Sequence, residues 1–165
     1  MLPDPEHAIE RAAWTSGLVY GTLTVLIAIA GLGVAGGASP EGAGATILVG
    51  AVATWFAHAY ASVLGHRATI RHHSAGEILP ALRHAWSIVL AAIPAVLAMG
   101  GASLGWWEAG AALAFANAAG IAVLAAAGWI VARAAGESLT GRLTATIVTA
   151  SIGVGIVVVE LLAHH

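Results

Sequence analysis

Long apolar runs alternate with short polar or glycine-rich segments along the chain. Five runs contain almost no charged residues, and each is close to the length of about 20 residues that a helix needs to cross a bilayer. The pattern predicts an all-α polytopic transmembrane bundle that forms a single domain over residues 1–165. The predicted spans cover residues 14–34, 46–65, 86–104, 109–132 and 143–162.

Local signals place the breaks between and within these spans. Glycine, serine and proline cluster between Gly36 and Gly42, which predicts a turn between the first two spans. A polar loop over residues 66–84 precedes the third span. Pro94 lies inside that span, and we expect it to kink the helix and free a carbonyl because proline has no N–H to donate.

Composition supports the membrane interpretation. Hydrophobic residues make up 59% of the chain and charged residues 8%, whereas soluble domains carry about a quarter charged residues. A soluble domain of this size could not bury so much apolar surface. Cysteine is absent, which excludes disulfides and thiolate chemistry. The net charge of −2 argues against a nucleic-acid partner.

The arginines predict the orientation. Basic residues accumulate in loops that face the cytoplasm. If the amino terminus is cytoplasmic, all six basic residues fall on that side, and the carboxy terminus lies outside. The first dozen residues lack the pattern of a secretory signal, so we expect the first run to be a retained span. The alanine-rich, lysine-free composition favours a bacterial inner membrane. The six arginines are Arg11, Arg67, Arg71, Arg83, Arg133 and Arg142.

Several residues suit contact with lipid. Trp106 and Trp107 are predicted to lie at the outer interface, where amphipathic rings concentrate. Arg67, Arg71 and Arg83 are predicted to contact anionic headgroups at the inner side. Gly17 and Gly21 form a Gly-x-x-x-Gly pair, which lets helix backbones approach closely and favours a homodimer through the first span. The lipid bilayer and a second copy are therefore the predicted partners.

His58 is the strongest candidate for a functional residue, as part of a proton or metal path through the membrane. Counting back from Arg67 predicts a depth of roughly 13 Å from the inner boundary. An ionisable group at such depth usually faces the bundle interior or a hydrated cavity, and Thr54 and Ser62 share its helix face. The alternative is a neutral histidine that joins helices through a hydrogen bond.

Two further polar residues within the predicted spans are candidates for the same path as His58. Tyr20 lies in the first predicted span and Asn117 in the fourth. For Asn117 we favour a structural role, a hydrogen bond that joins two helices.

The loop after the second span is rich in histidine. His66, His72 and His73, together with Glu77, form a candidate site for a divalent transition metal or a pH-sensitive entrance. A lipid-binding arginine cluster is the alternative interpretation of this loop. The chain contains no catalytic motif of the phosphate-loop, Gly-x-Ser-x-Gly or His-Glu-x-x-His type. We therefore expect no enzymatic activity, and we expect Glu160 to be a surface carboxylate at the outer boundary.

Two short elements resemble the vacuolar iron transporter (VIT)-like family. Gly17-Leu18-Val19 is similar to its Asp-Gly-Leu-Val element, and Tyr60-Ala61-Ser62-Val63 to its Glu-Tyr-Val-Ser element. The resemblance implies a five-span dimeric fold. It does not imply the iron site, because Ser16 and Ala59 stand where the family has its metal-binding acids.

Two functional hypotheses follow. The first is a cation- or proton-linked transporter or channel with His58 in the path and the histidine loop at its cytoplasmic mouth. The second is a non-transporting scaffold or partner subunit, whose polar residues within the spans only join helices.

Overall fold

The computed structural model describes residues 5–34, 39–69, 82–83 and 85–163, and their regular secondary structure is helical. Five segments are long and apolar enough to cross a membrane, the third of them formed by two consecutive helices. The chain is therefore a multi-pass membrane protein. The helices are α1 (Pro5–Val34), α2 (Pro40–Thr69), α3 (Trp86–Leu90), α4 (Ile93–Ser103), α5 (Ala109–Ala134) and α6 (Leu139–Ala163).

The first two helices are longer than the apolar runs within them, at 30 residues each. Part of the segment that we predicted as a turn instead begins α2. Ser39 accepts a hydrogen bond from the backbone N–H of Gly42 at 3.2 Å through its hydroxyl, and Pro40 occupies the first helical position. A serine cap followed by proline is a strong helix start, because the proline lacks an N–H that would be unpaired there.

Pro94 interrupts the third span as predicted. The helix breaks at Ala91 and Ala92, between α3 and α4, and Pro94 lies in the first turn of α4. The backbone N–H of Ala92 bonds to the carbonyl of Val89 at 3.1 Å, a tighter turn than that of an α-helix. The missing N–H of Pro94 leaves the carbonyl four residues earlier without its helical donor.

Consecutive spans run antiparallel. Gly44 near the start of α2 packs on Met99 near the end of α4, and Gly128 late in α5 packs on Ala145 early in α6. The two ends of the bundle consequently differ in composition. One end carries Arg83, Arg133 and Arg142, and we call it the arginine end; the other carries Trp106, Trp107 and Glu108, and we call it the tryptophan end.

The glycine pair of α1 packs within the chain. A Cβ added at Gly17 would overlap the hydroxyl of Ser87, and one added at Gly21 would lie 2.6 Å from the carbonyl oxygen of Ile88. The third span therefore occupies the surface that we predicted as a dimer contact. Small residues serve close helix approach here, as expected, but the neighbour is α3 of the same chain. A second copy cannot use this face.

The core lies where α1, α2, α4 and α5 meet. Its side chains are mostly alanine, with a few larger residues between them, including Ile29, Ile47 and Met99. Small side chains bring the helices close enough for dispersion contacts to hold them together in lipid. By contrast, only 6% of the α6 span is buried. This helix packs on α5 and α1 and leaves most of its apolar surface exposed.

Candidate functional site

Tyr20 of α1 and His58 of α2 meet at the surface between the two helices. Their ring centroids are 5.7 Å apart and the rings are tilted by 35°. His58 is half-buried, whereas Tyr20 is 51% exposed. The structure thus brings together two of the residues that the sequence proposed for one path. The imidazole and the phenol hydroxyl can each donate and accept hydrogen bonds.

Thr54 and Ser62 lie one turn before and one turn after His58 on α2, and each is half-buried. The hydroxyl of Ser62 donates a hydrogen bond to the backbone carbonyl of His58 at 2.9 Å. Such a bond satisfies the hydroxyl within its own helix. Thr54, His58 and Ser62 therefore share a face, with Tyr20 opposite His58 across the α1–α2 contact.

The depth that we predicted for His58 stays a prediction, and the helix contacts show only its level relative to the third span. Its neighbour Ala59 packs against Ala85 and Ile88, at the start of the third span, whose membrane-spanning segment begins at Trp86. His58 is consequently level with the beginning of that span, near the arginine end. α2 continues to Thr69, eleven residues after His58, and so extends beyond the start of the third span.

Trp55 fixes this part of α2, a role that we did not predict. Its indole N–H donates to the backbone carbonyl of Leu82 at 2.9 Å. Its ring packs edge-on against Trp86, with centroids 5.5 Å apart. One side chain thus holds α2 against the segment that leads into the third span, one turn from His58. The sequence carried one signal for this role: in the predicted span 46–65, a tryptophan lies within one helical turn of the only histidine.

Asn117 lies in a different place, on α5 opposite Glu160 of α6. Its side-chain N–H donates to a carboxylate oxygen of Glu160 at 3.5 Å. The amide oxygen of Asn117 is buried, and no described residue donates a hydrogen bond to it. The cross-helix bond agrees with the structural role that we favoured for Asn117. Glu160 lies two residues before the end of the fifth span and is half-buried beside this amide.

Most of the predicted metal ligands fall outside the described residues. His72, His73 and Glu77 lie there, as does Arg71, and for His66 and Arg67 only their place in the last turn of α2 is described. Among the described residues, no group of three or more histidine, aspartate or glutamate side chains is placed to hold a metal ion. The metal site remains a prediction.

The tryptophans at the tryptophan end have different surroundings. Trp106 is 70% exposed, which suits contact with headgroups. Trp107 donates its indole N–H to the carbonyl of Ala98 at 2.8 Å, and its ring lies against Gly101. Part of the Trp107 side chain therefore packs on the end of α4, and the rest of it is exposed. Arg83 is exposed at the opposite end.

No protein-family model, curated protein or solved structure matches the chain. The resemblance to the VIT-like family remains a prediction from sequence.

Proposed function

We propose that this protein is a small cation- or proton-linked transporter or channel, with His58 at the mouth of the path on the arginine end. The observation that carries the proposal is the contact between His58 and Tyr20. It joins two groups able to exchange protons, from two different spans, at a partly exposed position. Ionisable groups within membrane spans are costly and usually mark pathways for ions or substrates.

The surroundings support a role at an entrance. His58 is level with the start of the third span, and it lies in the half of α2 that ends at Thr69, after which the sequence of the histidine loop continues. Histidine changes its charge near neutral pH and its neutral ring binds transition metals. The cytoplasmic orientation, the bacterial inner membrane, the lipid contacts and the dimer belong to this proposal as expectations, together with a divalent metal as the transported ion. The protein performs no covalent catalysis in this scheme.

Flux into liposomes tests the proposal. Purified protein is reconstituted, and uptake of protons and of divalent metals is followed with entrapped fluorescent indicators. We expect His58→Ala to lower flux at least about tenfold, since a positioned proton-transfer group contributes about 10²–10⁴ to a rate. Tyr20→Phe, which keeps the ring and removes the hydroxyl, is expected to give an intermediate value.

Tyr60 supplies the matched control. It lies on α2 two residues from His58 and is 68% exposed, so Tyr60→Phe removes the same hydroxyl outside the Tyr20–His58 contact. This variant should transport as the parent does. If His58→Ala moves protons and divalent metals as fast as the parent, the proposal fails.

The scaffold hypothesis also has structural support. Buried Thr22 donates its hydroxyl to the carbonyl of Leu18 at 2.8 Å, and Thr146 and Thr149 likewise bond within α6. Hydroxyls satisfied in this way do not require a hydrated path. This hypothesis predicts that His58→Phe preserves biological activity and changes only stability, and that the purified protein holds no stoichiometric metal.

A further inference from the structure

Three polar side chains at the α1–α2 surface have no hydrogen-bond partner among the described residues. They are Tyr20 of α1 and, on α2, Thr54 and His58. The usual arrangement in these spans is a hydrogen bond from a hydroxyl to a carbonyl of its own helix, as Thr46 makes to Gly42 at 2.8 Å. Thr54 does not make this bond, so its hydroxyl is available to a group outside the helix.

The three side chains lie beside open space. Thr54 is four residues before His58, and Gly50 is four residues before Thr54, so the three positions follow one flank of α2 over about 12 Å. All three are half-buried. A Cβ added at Gly50 would meet no atom within 4 Å. We call Gly50, Thr54 and His58, together with Tyr20 opposite, the polar flank.

We propose that the polar flank binds a file of water molecules that carries protons along α2. The inference rests on the proposed transport function and names the ion of that function at this site as a proton. A water molecule both donates and accepts, and waters within proteins typically make about three hydrogen bonds to polar groups that are otherwise unsatisfied. The hydroxyls and the imidazole of the polar flank are groups of this kind.

His58 passes the proton between the two sides of its ring. A water molecule on the side of the arginine end gives a proton to one ring nitrogen. The other ring nitrogen gives its proton to the water held by Thr54, and rotation of the ring restores the first state. Only N–H and O–H bonds are made and broken, and the charge leaves with the proton.

The polar flank suits a proton better than a metal ion. It supplies one imidazole and the neutral hydroxyls of Tyr20 and Thr54. A zinc site needs three or four nitrogen, thiolate or carboxylate ligands, and a hard cation such as Mg²⁺ is bound through carboxylates. A water file needs only groups that donate and accept hydrogen bonds.

The charged residues described on the neighbouring segments do not change this assignment. On α2, Glu41 lies in the first turn, 17 residues or about 26 Å from His58. In the segment before the third span, the side chain of Arg83 is exposed. On α1, the residue that faces His58 is Tyr20.

A single introduced thiol reports whether water reaches the polar flank, because the chain contains no cysteine. Gly50→Cys and Thr54→Cys proteins are placed in lipid nanodiscs and treated with a charged, water-soluble methanethiosulfonate. The thiolate is the reacting species and forms only where water is present, so we expect both to react at least about tenfold faster than a thiol that faces lipid.

Gly155→Cys on α6 is the matched control. Gly155 is exposed, and a Cβ added there also meets no atom within 4 Å. It lies seven residues from the end of its span, whereas Gly50 lies ten residues from the nearer end of its own. Exposure and depth alone would therefore make Gly155→Cys react faster, which is the opposite of the expected result.

Flux into liposomes gives the second readout. A potassium gradient with valinomycin drives protons inward, and entrapped indicators follow protons and Zn²⁺ separately. Gly50→Leu fills the open space and keeps the three polar side chains, and we expect it to lower proton flux at least about tenfold. Gly155→Leu should conduct as the parent does, and the parent should take up no more Zn²⁺ than liposomes without protein.

The outcomes separate this inference from the proposed function. If the control thiol reacts as fast as Gly50→Cys and Thr54→Cys, or if Gly50→Leu conducts protons as the parent does, the water file is overturned and the transporter proposal stands. Zn²⁺ uptake that His58→Ala abolishes would also leave a transporter, with a metal ion as its cargo. A parent that moves neither protons nor Zn²⁺ would overturn both.

Discussion

Gly21→Ala tests how the spans are held together. A Cβ at this position would lie 2.6 Å from the carbonyl oxygen of Ile88, 2.7 Å from its Cα and 3.1 Å from the Cβ of Ala91. Non-bonded carbon atoms prefer separations of about 3.5–4.0 Å. The nearest two are backbone atoms, so no side-chain rotation relieves the overlap. α1 and α3 must therefore separate by about 1 Å.

Gly31 provides the control on the same helix. A Cβ added there meets no atom within 4 Å. Both changes gain the higher helix propensity of alanine, about 1 kcal/mol in a soluble helix. The difference between the two variants therefore isolates the overlap, for which overpacking costs of about 1–3 kcal/mol are typical. We expect Gly21→Ala to be less stable than Gly31→Ala by that amount.

Reversible unfolding in mixed detergent micelles measures this difference. Cross-linking at increasing protein concentration shows whether the oligomeric state changes as well. Equal free energies of unfolding for the two variants would refute the close packing of α1 on α3. If Gly21→Ala instead separates a dimer and leaves the unfolding of the monomer unchanged, the glycine face contacts a second chain, contrary to the structure.

Two further predictions use the tryptophans. Trp107→Phe should destabilise the protein by about 1 kcal/mol, because the indole N–H of Trp107 donates a hydrogen bond to the carbonyl of Ala98. Trp106→Phe should change the free energy of unfolding by less than about 0.5 kcal/mol. Equal effects of the two substitutions in the same unfolding assay would contradict this difference. Trp55→Phe should cost a similar amount through the lost bond to Leu82, and it should also lower liposome flux because α2 carries His58. Normal flux in a destabilised Trp55→Phe protein would show that the contacts of Trp55 stabilise the fold but do not contribute to transport.

The five spans could be predicted because each is a nearly uncharged run of membrane-crossing length. The interruption near Pro94 follows from the chemistry of one residue. Helix ends were harder to predict. The segment around Ser39 and Pro40 was interpreted as a turn because it is rich in glycine, yet a serine cap and a first-position proline make it a helix start.

The level of His58 relative to the neighbouring helices shows a second limit of sequence reasoning. Arginine marks the side of the membrane on which a loop lies, but it does not mark how far a helix extends past its neighbours. α2 continues beyond the start of the third span, so a distance counted from Arg67 does not give the level of His58 relative to that span. Only the contacts of Ala59 with Ala85 and Ile88 show this. The pairing of His58 with Tyr20 likewise depends on how α1 and α2 are rotated.

The register of α5 and α6 determines which residue Glu160 contacts. Gly153 of α6 packs on Leu124 of α5, and seven residues further along each antiparallel helix, two turns in total, stand Glu160 and Asn117. Two turns of an α-helix return a side chain to nearly the same face. Once the glycine contact is fixed, the amide and the carboxyl must therefore meet. Asn117 and Glu160 are 43 positions apart, so no local sequence pattern reveals their contact. The close approach of α5 and α6 at Gly153 is what brings the carboxylate of the fifth span to its partner.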